Sequence, residues 1–297
     1  MNGTEPPIDA NEVIEAQLDA RLAEIERLAG ADTLTYIGAI GYGVDVLIRE
    51  ALDGIKTPQK KLLVVLETDG GSIEVTERIA RAFRQHYKVV DFLVPDFAFS
   101  AGTVLVMSGD AIYMNPASVL GPIDPQVQRG EHEQFVPALG YLEQYDRLIK
   151  KSAKQTLTPA ELLYLVESFD PAALYQYEQQ KELSIALLKE WLVKYKFTNW
   201  TVTEGRGLEV TPRLRAQRSR QIATILCDTQ RWHSHGRGIP MDILRSDLRV
   251  QIEDYDAVPD LSRAVRAYYG LLSDYRLRRG HWIWLLHTQG SYSGYGS

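Results

Sequence analysis

A run of apolar residues, Leu62 to Leu66, ends in Thr68-Asp69-Gly70-Gly71, and no other stretch restricts the fold as tightly. A short apolar run stopped by paired glycines reads as a buried strand entering a tight turn. After Gly71, the residues Ile73, Val75, Ile79, Ala82 and Phe83 fall mostly on one helical face, with Glu74, Glu77, Arg78 and Arg81 largely away from it. That spacing predicts an amphipathic helix. A second apolar run, Val89, Val90, Phe92, Leu93 and Val94, is halted by Pro95-Asp96. Strand, helix and strand at this spacing make a βαβ unit, which demands a parallel sheet and a right-handed crossover.

Two features inside this stretch carry chemistry. Adjacent glycines at Gly70 and Gly71 leave backbone N–H groups uncovered, so the turn can approach a ligand or donate to an oxyanion. Downstream, Ala98-Phe99-Ser100-Ala101-Gly102-Thr103 leads into the apolar Val104 to Met107. A serine among small residues at the start of a buried helix lies near unpaired N–H groups. Such a hydroxyl suits a nucleophile whose tetrahedral intermediate is negatively charged. A serine there also serves as a simple helix cap.

The ordered set is specific where its parts are not. A Gly-Gly turn, an amphipathic helix, a strand, the Ser-Ala-Gly-Thr helix, the strand Ala111 to Met114 and then Leu120-Gly121-Pro122-Ile123-Asp124-Pro125-Gln126 resemble the ClpP/crotonase superfamily. Within it the pattern is most similar to the serine dehydrogenase proteinase family, relatives of the signal peptide peptidase A group. The resemblance is dense from about Lys61 to Gln126. It implies an α/β fold, a ClpP/crotonase-like spiral of repeated ββα units with projecting helices. It also implies Ser100 as nucleophile and the N–H groups of Gly71 and Ala101 as the oxyanion hole, with Gly70 permitting the turn.

The base that activates Ser100 is less legible. ClpP peptidases place a histidine in the loop that here reads Leu120 to Gln126, and Asp124 stands at about that place instead. The turn Trp232 to Pro240 resembles the segment that supplies the acid in ClpP, which suggests exchanged roles and a set of Ser100, His235 and Asp124. Signal peptide peptidase A relatives use a lysine, for which Lys150, Lys151, Lys154 and Lys181 are the downstream candidates. His235 also reads as a structural residue, and Asp124 as a brace of its proline-flanked loop.

Composition narrows the alternatives. A net charge of −6 gives no nucleic-acid surface. The single cysteine, Cys227, excludes an intrachain disulfide and a cysteine-rich metal site. No ligand-spaced His/Asp/Glu cluster calls for a metal, and no cofactor is expected. No apolar run reaches the roughly 18 residues of a spanning helix, and Met1 to Val13 lacks the layout of a secretory signal. The expectation is a cytoplasmic protein.

The remaining chain divides into residues 1–30, a tail and helix; 31–252, the peptidase domain; and 253–297, a helix, an apolar segment and a Gly/Ser/Tyr tail. Helices are predicted from Asp9 to Ala29, Val44 to Ile55, Tyr141 to Lys154, after Thr158-Pro159, from Asp170-Pro171 to about Tyr195, after Thr211-Pro212, from Met241 to Leu248 and from Leu261 to Arg278. Leu248-Arg249-Val250 reads as a strand, Gln128 to Glu133 as an exposed loop and Gly290 to Ser297 as flexible. In the superfamily, helices projecting from the sheet build oligomers, which implies a homo-oligomer here. The function expected is an ATP-independent serine peptidase acting on peptide or unfolded protein. Two alternatives stand beside it: a catalytically silent scaffold or peptide-binding assembly protein, and a crotonase-type acyl-CoA enzyme.

Overall fold

Alternation along the strands sets the architecture. In the strand from Lys61 to Glu67, Leu62, Val64 and Leu66 enter one apolar core while Leu63 and Val65 enter another. A strand buried on both sides needs helices above and below, hence a three-layer α/β arrangement. The computed structural model describes residues 9–56, 58–123, 126–129, 134–203, 205 and 207–296. Asp124 lies outside the described residues, and so do positions 130–133.

The elements in chain order begin with α1 (Ala10–Ala29), β1 (Asp32–Gly38), α2 (Val44–Asp53), β2 (Lys61–Glu67), α3 (Ile73–His86), β3 (Val89–Val94), β4 (Phe97–Ala98), α4 (Ala101–Val106), β5 (Ile112–Met114) and β6 (Val119–Leu120). There follow β7 (Gln126–Arg129), β8 (Gln134–Pro137), α5 (Ala138–Ala153), α6 (Pro159–Ser168) and α7 (Pro171–Trp191), which runs into a π-helical turn Leu192–Lys196. The chain closes with α8 (Pro212–Leu226), α9 (Thr229–Trp232), β9 (Ile239–Pro240), α10 (Met241–Ser246), β10 (Glu253–Asp254), a 3₁₀ turn Tyr255–Ala257, α11 (Pro259–Arg279), β11 (Trp284–Thr288) and β12 (Ser291–Tyr295).

Seven strands form the main sheet in the order β10-β5-β3-β2-β1-β11-β12. Pairing is parallel from β10 to β1, and β11 and β12 close the other side antiparallel. One core packs α2, α3, α4, the end of α7, α8 and α10 on one face of the sheet. The other packs α1 against α11 on the opposite face. A separate three-stranded sheet, β4-β6-β9, stands beside the C-terminal end of β2.

Side-chain capping explains five of the helix starts: Asp9, Ser72, Thr158, Asp170 and Thr211 each accept from a backbone N–H of their own first turn. Three expectations need correction. Ser291 to Tyr295, expected to be flexible, is β12, paired with β11 through a turn at Gly290. Tyr292 holds it down, its ring 5.0 Å from Tyr275 and 5.7 Å from His281. Gln128 and Arg129, expected in a loop, belong to β7, which pairs antiparallel with β8. Leu248 to Val250 is not a strand; Arg249 has φ 46°, outside the strand region, and the short parallel strand comes later as β10.

Candidate active site

The Gly-Gly turn is zipped to the segment that carries Ser100. Thr68 N–H donates to Phe97 O at 3.2 Å, and Phe99 N–H donates to Thr68 O at 2.9 Å. Gly70 N–H donates to Thr68 Oγ1 at 3.0 Å, which curls the chain just past β2. The turn is then fixed to the loop after β1, with Ile40 N–H donating to Gly70 O at 2.7 Å and Ser72 N–H to Ile40 O at 2.8 Å.

Only glycine fits at either position. A methyl on Gly70 would lie 2.9 Å from Ser100 Cβ and 3.2 Å from Ala101 N, and one on Gly71 would lie 2.2 Å from Ile40 O. Both have φ in the region L-residues avoid, 102° and 145°. Gly70 is thus packed directly on Ser100 and Ala101. Among the described residues, the N–H groups of Gly71 and Ala101 have no acceptor. Gly71 is exposed and Ala101 buried, and a buried amide left in this state is uncommon in native proteins and calls for a partner.

Ser100 joins β4 to α4 with φ 51° and ψ −116°, and its hydroxyl does not cap the helix. A serine held in such a conformation on a strand-to-helix turn has its hydroxyl aimed away from the backbone bonds of its own helix. The side chain is 8% exposed. Thr103, one turn into α4, fixes the neighbouring loop: its Oγ1 lies 2.9 Å from the carbonyls of Ala98 and Gly121 and accepts from Gly121 N–H at 3.0 Å.

The histidine turn is joined to the loop after β6 through the small sheet. β6 and β9 pair antiparallel, so the chain leaving β6 at Gly121 runs past the chain entering β9 from His235 to Gly238. Ile123 N–H donates to Leu226 O at 2.9 Å. A pocket of about 300 Å³ opens there, lined by Ile123, Leu226, Cys227, Trp232, His233 and His235. His235 is half-buried and His233 exposed, the latter with φ 62°.

Among the lysines, Lys150 and Lys154 are exposed and Lys151 is tied to Glu161 at 2.5 Å. Lys181 is half-buried on α7, the helix that packs on α3 and α4, and makes no ion pair among the described residues. Its spacing from the buried Ser184 and Leu188 puts it on the same face of α7.

A brace not visible in the sequence holds the turn from below. Glu67, the last residue of β2, accepts from Tyr269 Oη and pairs with Arg276 at 3.4 Å, both on α11. Burial pushes the Glu67 carboxyl above the usual carboxylate range, against the lowering effect of those two partners. No local signal links residues two hundred positions apart. Among the described residues, no group of three or more His, Cys, Asp or Glu is placed to hold a metal.

A sheet parallel at its centre with helices on both faces is the ClpP-like α/β fold. Residues 48–190 match the family model of the ClpP-like SDH-type serine proteinases. That segment contains Gly70, Gly71, Ser100, Ala101 and Lys181, while His235 lies beyond it. Two uncharacterized proteins of Methanocaldococcus jannaschii are similar to the chain. One is 29% identical over 210 residues, 64% of this chain and 70% of that protein; the other is 32% identical over 161 residues, 51% and 54%. The chain thus spans about half the length of the second. Among solved structures, a mutant of the membrane-bound stomatin-specific protease in complex with a substrate peptide covers 89% of this chain and 85% of its own, with a TM-score of 0.43 and 12% identity. Among the described residues of this chain, no helix is long and apolar enough to cross a membrane.

Proposed function

We propose that this protein is an ATP-independent serine peptidase that cleaves extended peptides through an acyl-enzyme on Ser100. The observation that carries the reading is the packing of Gly70 against Ser100 and Ala101, with the Gly71 and Ala101 amides lacking acceptors. Ser100 Oγ attacks the scissile carbonyl carbon while a base takes its proton, and the carbonyl oxygen becomes an oxyanion facing the two amides. Collapse of the intermediate expels the amine with that proton, and water then releases the acyl group by the same steps.

Two groups compete to be the base. The His235 turn approaches along β6 and β9, with Asp124 the acid proposed to orient it; Lys181 lies within the matched segment on the helix behind α4. The strained Ser100 backbone and the absence of a capping bond favour a nucleophile over a silent scaffold. They also disfavour a crotonase-type acyl-CoA enzyme, which has no use for a serine there. The exposed Leu162, Leu163, Val166 and Tyr175 on α6 and α7 favour a homo-oligomer, and we place it in the cytoplasm.

The test is labelling with a fluorophosphonate, followed by hydrolysis of an unstructured protein. Labelling at Ser100, lost in Ser100→Ala together with hydrolysis, supports the assignment; hydrolysis that survives the substitution overturns it. Comparing His235→Ala with Lys181→Ala then names the base by which one loses labelling, and full activity in both rejects both.

A further inference from the structure

A second cleft lies at the other end of the sheet, where β2, β3 and β10 begin at Lys61, Val89 and Glu253. Its volume is about 1250 Å³, ample for a small molecule, and the chemistry proposed for Ser100 leaves it unused. On its wall, α8 presents Arg218 and the turn after α10 presents Arg249. Arg218 is held in place, donating to Leu248 O and, at 2.9 Å, to Gln221 Oε1. Burial lowers its affinity for its proton and the positive charge of Arg249 lowers it further, while its bond to Leu248 O sets its guanidinium beside the backbone that leads into Arg249. Among the described residues neither has a carboxylate partner.

Two like charges on one wall, Arg218 half-buried and Arg249 exposed, repel each other unless something anionic lies between them. The carboxylates of the cleft are engaged elsewhere. Asp91 pairs with Lys61 at 3.5 Å and accepts from Ala111 N–H, Asp110 pairs with Arg84 at 2.7 Å, and Glu253 accepts from Gln251 at 2.6 Å. A second, independent sign is the backbone: Arg249 is in the left-handed region at φ 46°, which a long side chain adopts at a cost. Strain held at one residue that aims a charge into a cavity is the pattern of a ligand site. Across the cleft, Lys196 donates to Asp110 O at 3.3 Å, and its charge is met by Glu253, Asp91 and Asp110, so it is not part of the clamp.

We propose that this cleft binds a small polyanion, a molecule carrying phosphoryl or several carboxylate groups, clamped between Arg218 and Arg249. Guanidiniums suit such groups because their forked donors match two oxygens at once. The site is independent of the peptidase reading, since none of its residues touches the Ser100 turn.

Calorimetric titration of the full chain at low salt with inorganic tripolyphosphate and, separately, with citrate tests this. The expected result is saturable one-to-one binding of at least one, with the preferred probe telling phosphoryl from carboxylate ligands. Arg249→Gly should weaken it at least about tenfold while leaving the unliganded melting temperature unchanged or higher, because glycine accepts the left-handed conformation. Should that variant fail to fold, Arg249→Asn, which also tolerates positive φ, decides instead. Failure of both anions to saturate at millimolar concentration, or equal affinity in the folded Arg249 variant, overturns the proposal.

Discussion

Two hydroxyl-bearing arrangements in this molecule look alike on paper and differ in every physical respect. Across the core between α1 and α11, Thr35 Oγ1 lies 2.8 Å from Tyr268 Oη, Tyr268 Oη lies 2.7 Å from His287 Nδ1, and His287 Nε2 lies 3.2 Å from Asp19 Oδ1. That is a complete hydroxyl–imidazole–carboxylate chain, and Thr35, Tyr268 and His287 are fully buried. At the strand ends, Ser100 has a strained backbone, is 8% exposed and has two amides beside it without acceptors among the described residues. The buried chain joins four elements, and Thr35, Tyr268 and His287 present no surface to a substrate. Capacity for reaction follows from unspent donors and stored strain, rather than from the completeness of a hydrogen-bonded chain.

The sharpest way to break this contrast is to remove one hydroxyl from each arrangement. Ser100→Ala should lower peptide hydrolysis by at least about 10³-fold while the protein stays folded, since the start of α4 does not depend on a cap from this hydroxyl. Tyr268→Phe should leave the rate per folded molecule intact and lower stability by about 1–3 kcal/mol, because Thr35 and His287 lose a buried partner. Rates and melting curves measured on both variants decide; a Tyr268→Phe protein that is folded but inactive would put the chemistry in the wrong region. Next in size, Gly71→Ala should cost about 10²-fold or more in kcat, because the added methyl meets Ile40 O and swings the Gly71 amide away. Steady-state kinetics on the folded variant, with fluorophosphonate labelling alongside, checks it.

Why one arrangement is legible in the sequence and the other is not has a simple cause. Gly70-Gly71 and Ser100-Ala101-Gly102-Thr103 are local signals, each set by what a turn permits within a few residues. The βαβ periodicity that frames them is local too, and β2, α3 and β3 fall where the apolar pattern puts them. Tyr268, His287 and Asp19 come together only after α1, α11 and β11 have met, across as many as 268 positions. The strand β12 was hidden for a related reason: Tyr292 is held by rings on other elements, while glycine and serine around it have little strand propensity of their own. Choosing between His235 and Lys181 also depends on long-range placement, which is why sequence alone leaves both standing.

The buried chain carries a pH dependence that the active site need not share. Burial pushes the His287 imidazole below its ordinary value, against the raising effect of Asp19, so the native state holds the ring neutral and the contact to Asp19 is a hydrogen bond. Its folded pKa is therefore below the unfolded value of about 6.5, and the stabilisation is fully present above that pH. As pH falls below it, the unfolded chain takes up a proton that the native state resists, and stability declines toward the folded pKa. Denaturant melts of wild type and His287→Gln between about pH 7.5 and 5 should differ in slope, with the variant flatter. An identical slope would mean that His287 takes up its proton in the fold as readily as in the unfolded chain.

The smallest effect tests whether the two regions communicate. Arg276 donates to His281 O at 2.8 Å and to Trp282 O at 3.2 Å, and pairs with Glu67 at 3.4 Å, so a residue of the C-terminal helix supports the strand end that launches the Gly-Gly turn. Arg276→Met keeps the apolar stem and removes the charge, leaving Glu67 to Tyr269 alone. Burial already raises the Glu67 pKa, so losing the cation favours the protonated carboxyl and slackens the end of β2 by tenths of an ångström rather than unfolding it. Because an oxyanion hole is sensitive to small displacements of its donors, kcat should fall a few-fold with KM nearly unchanged. A variant with a lowered melting temperature and an unaltered kcat would show that α11 stabilises the sheet without tuning the turn, and the separation between the two regions would then be complete.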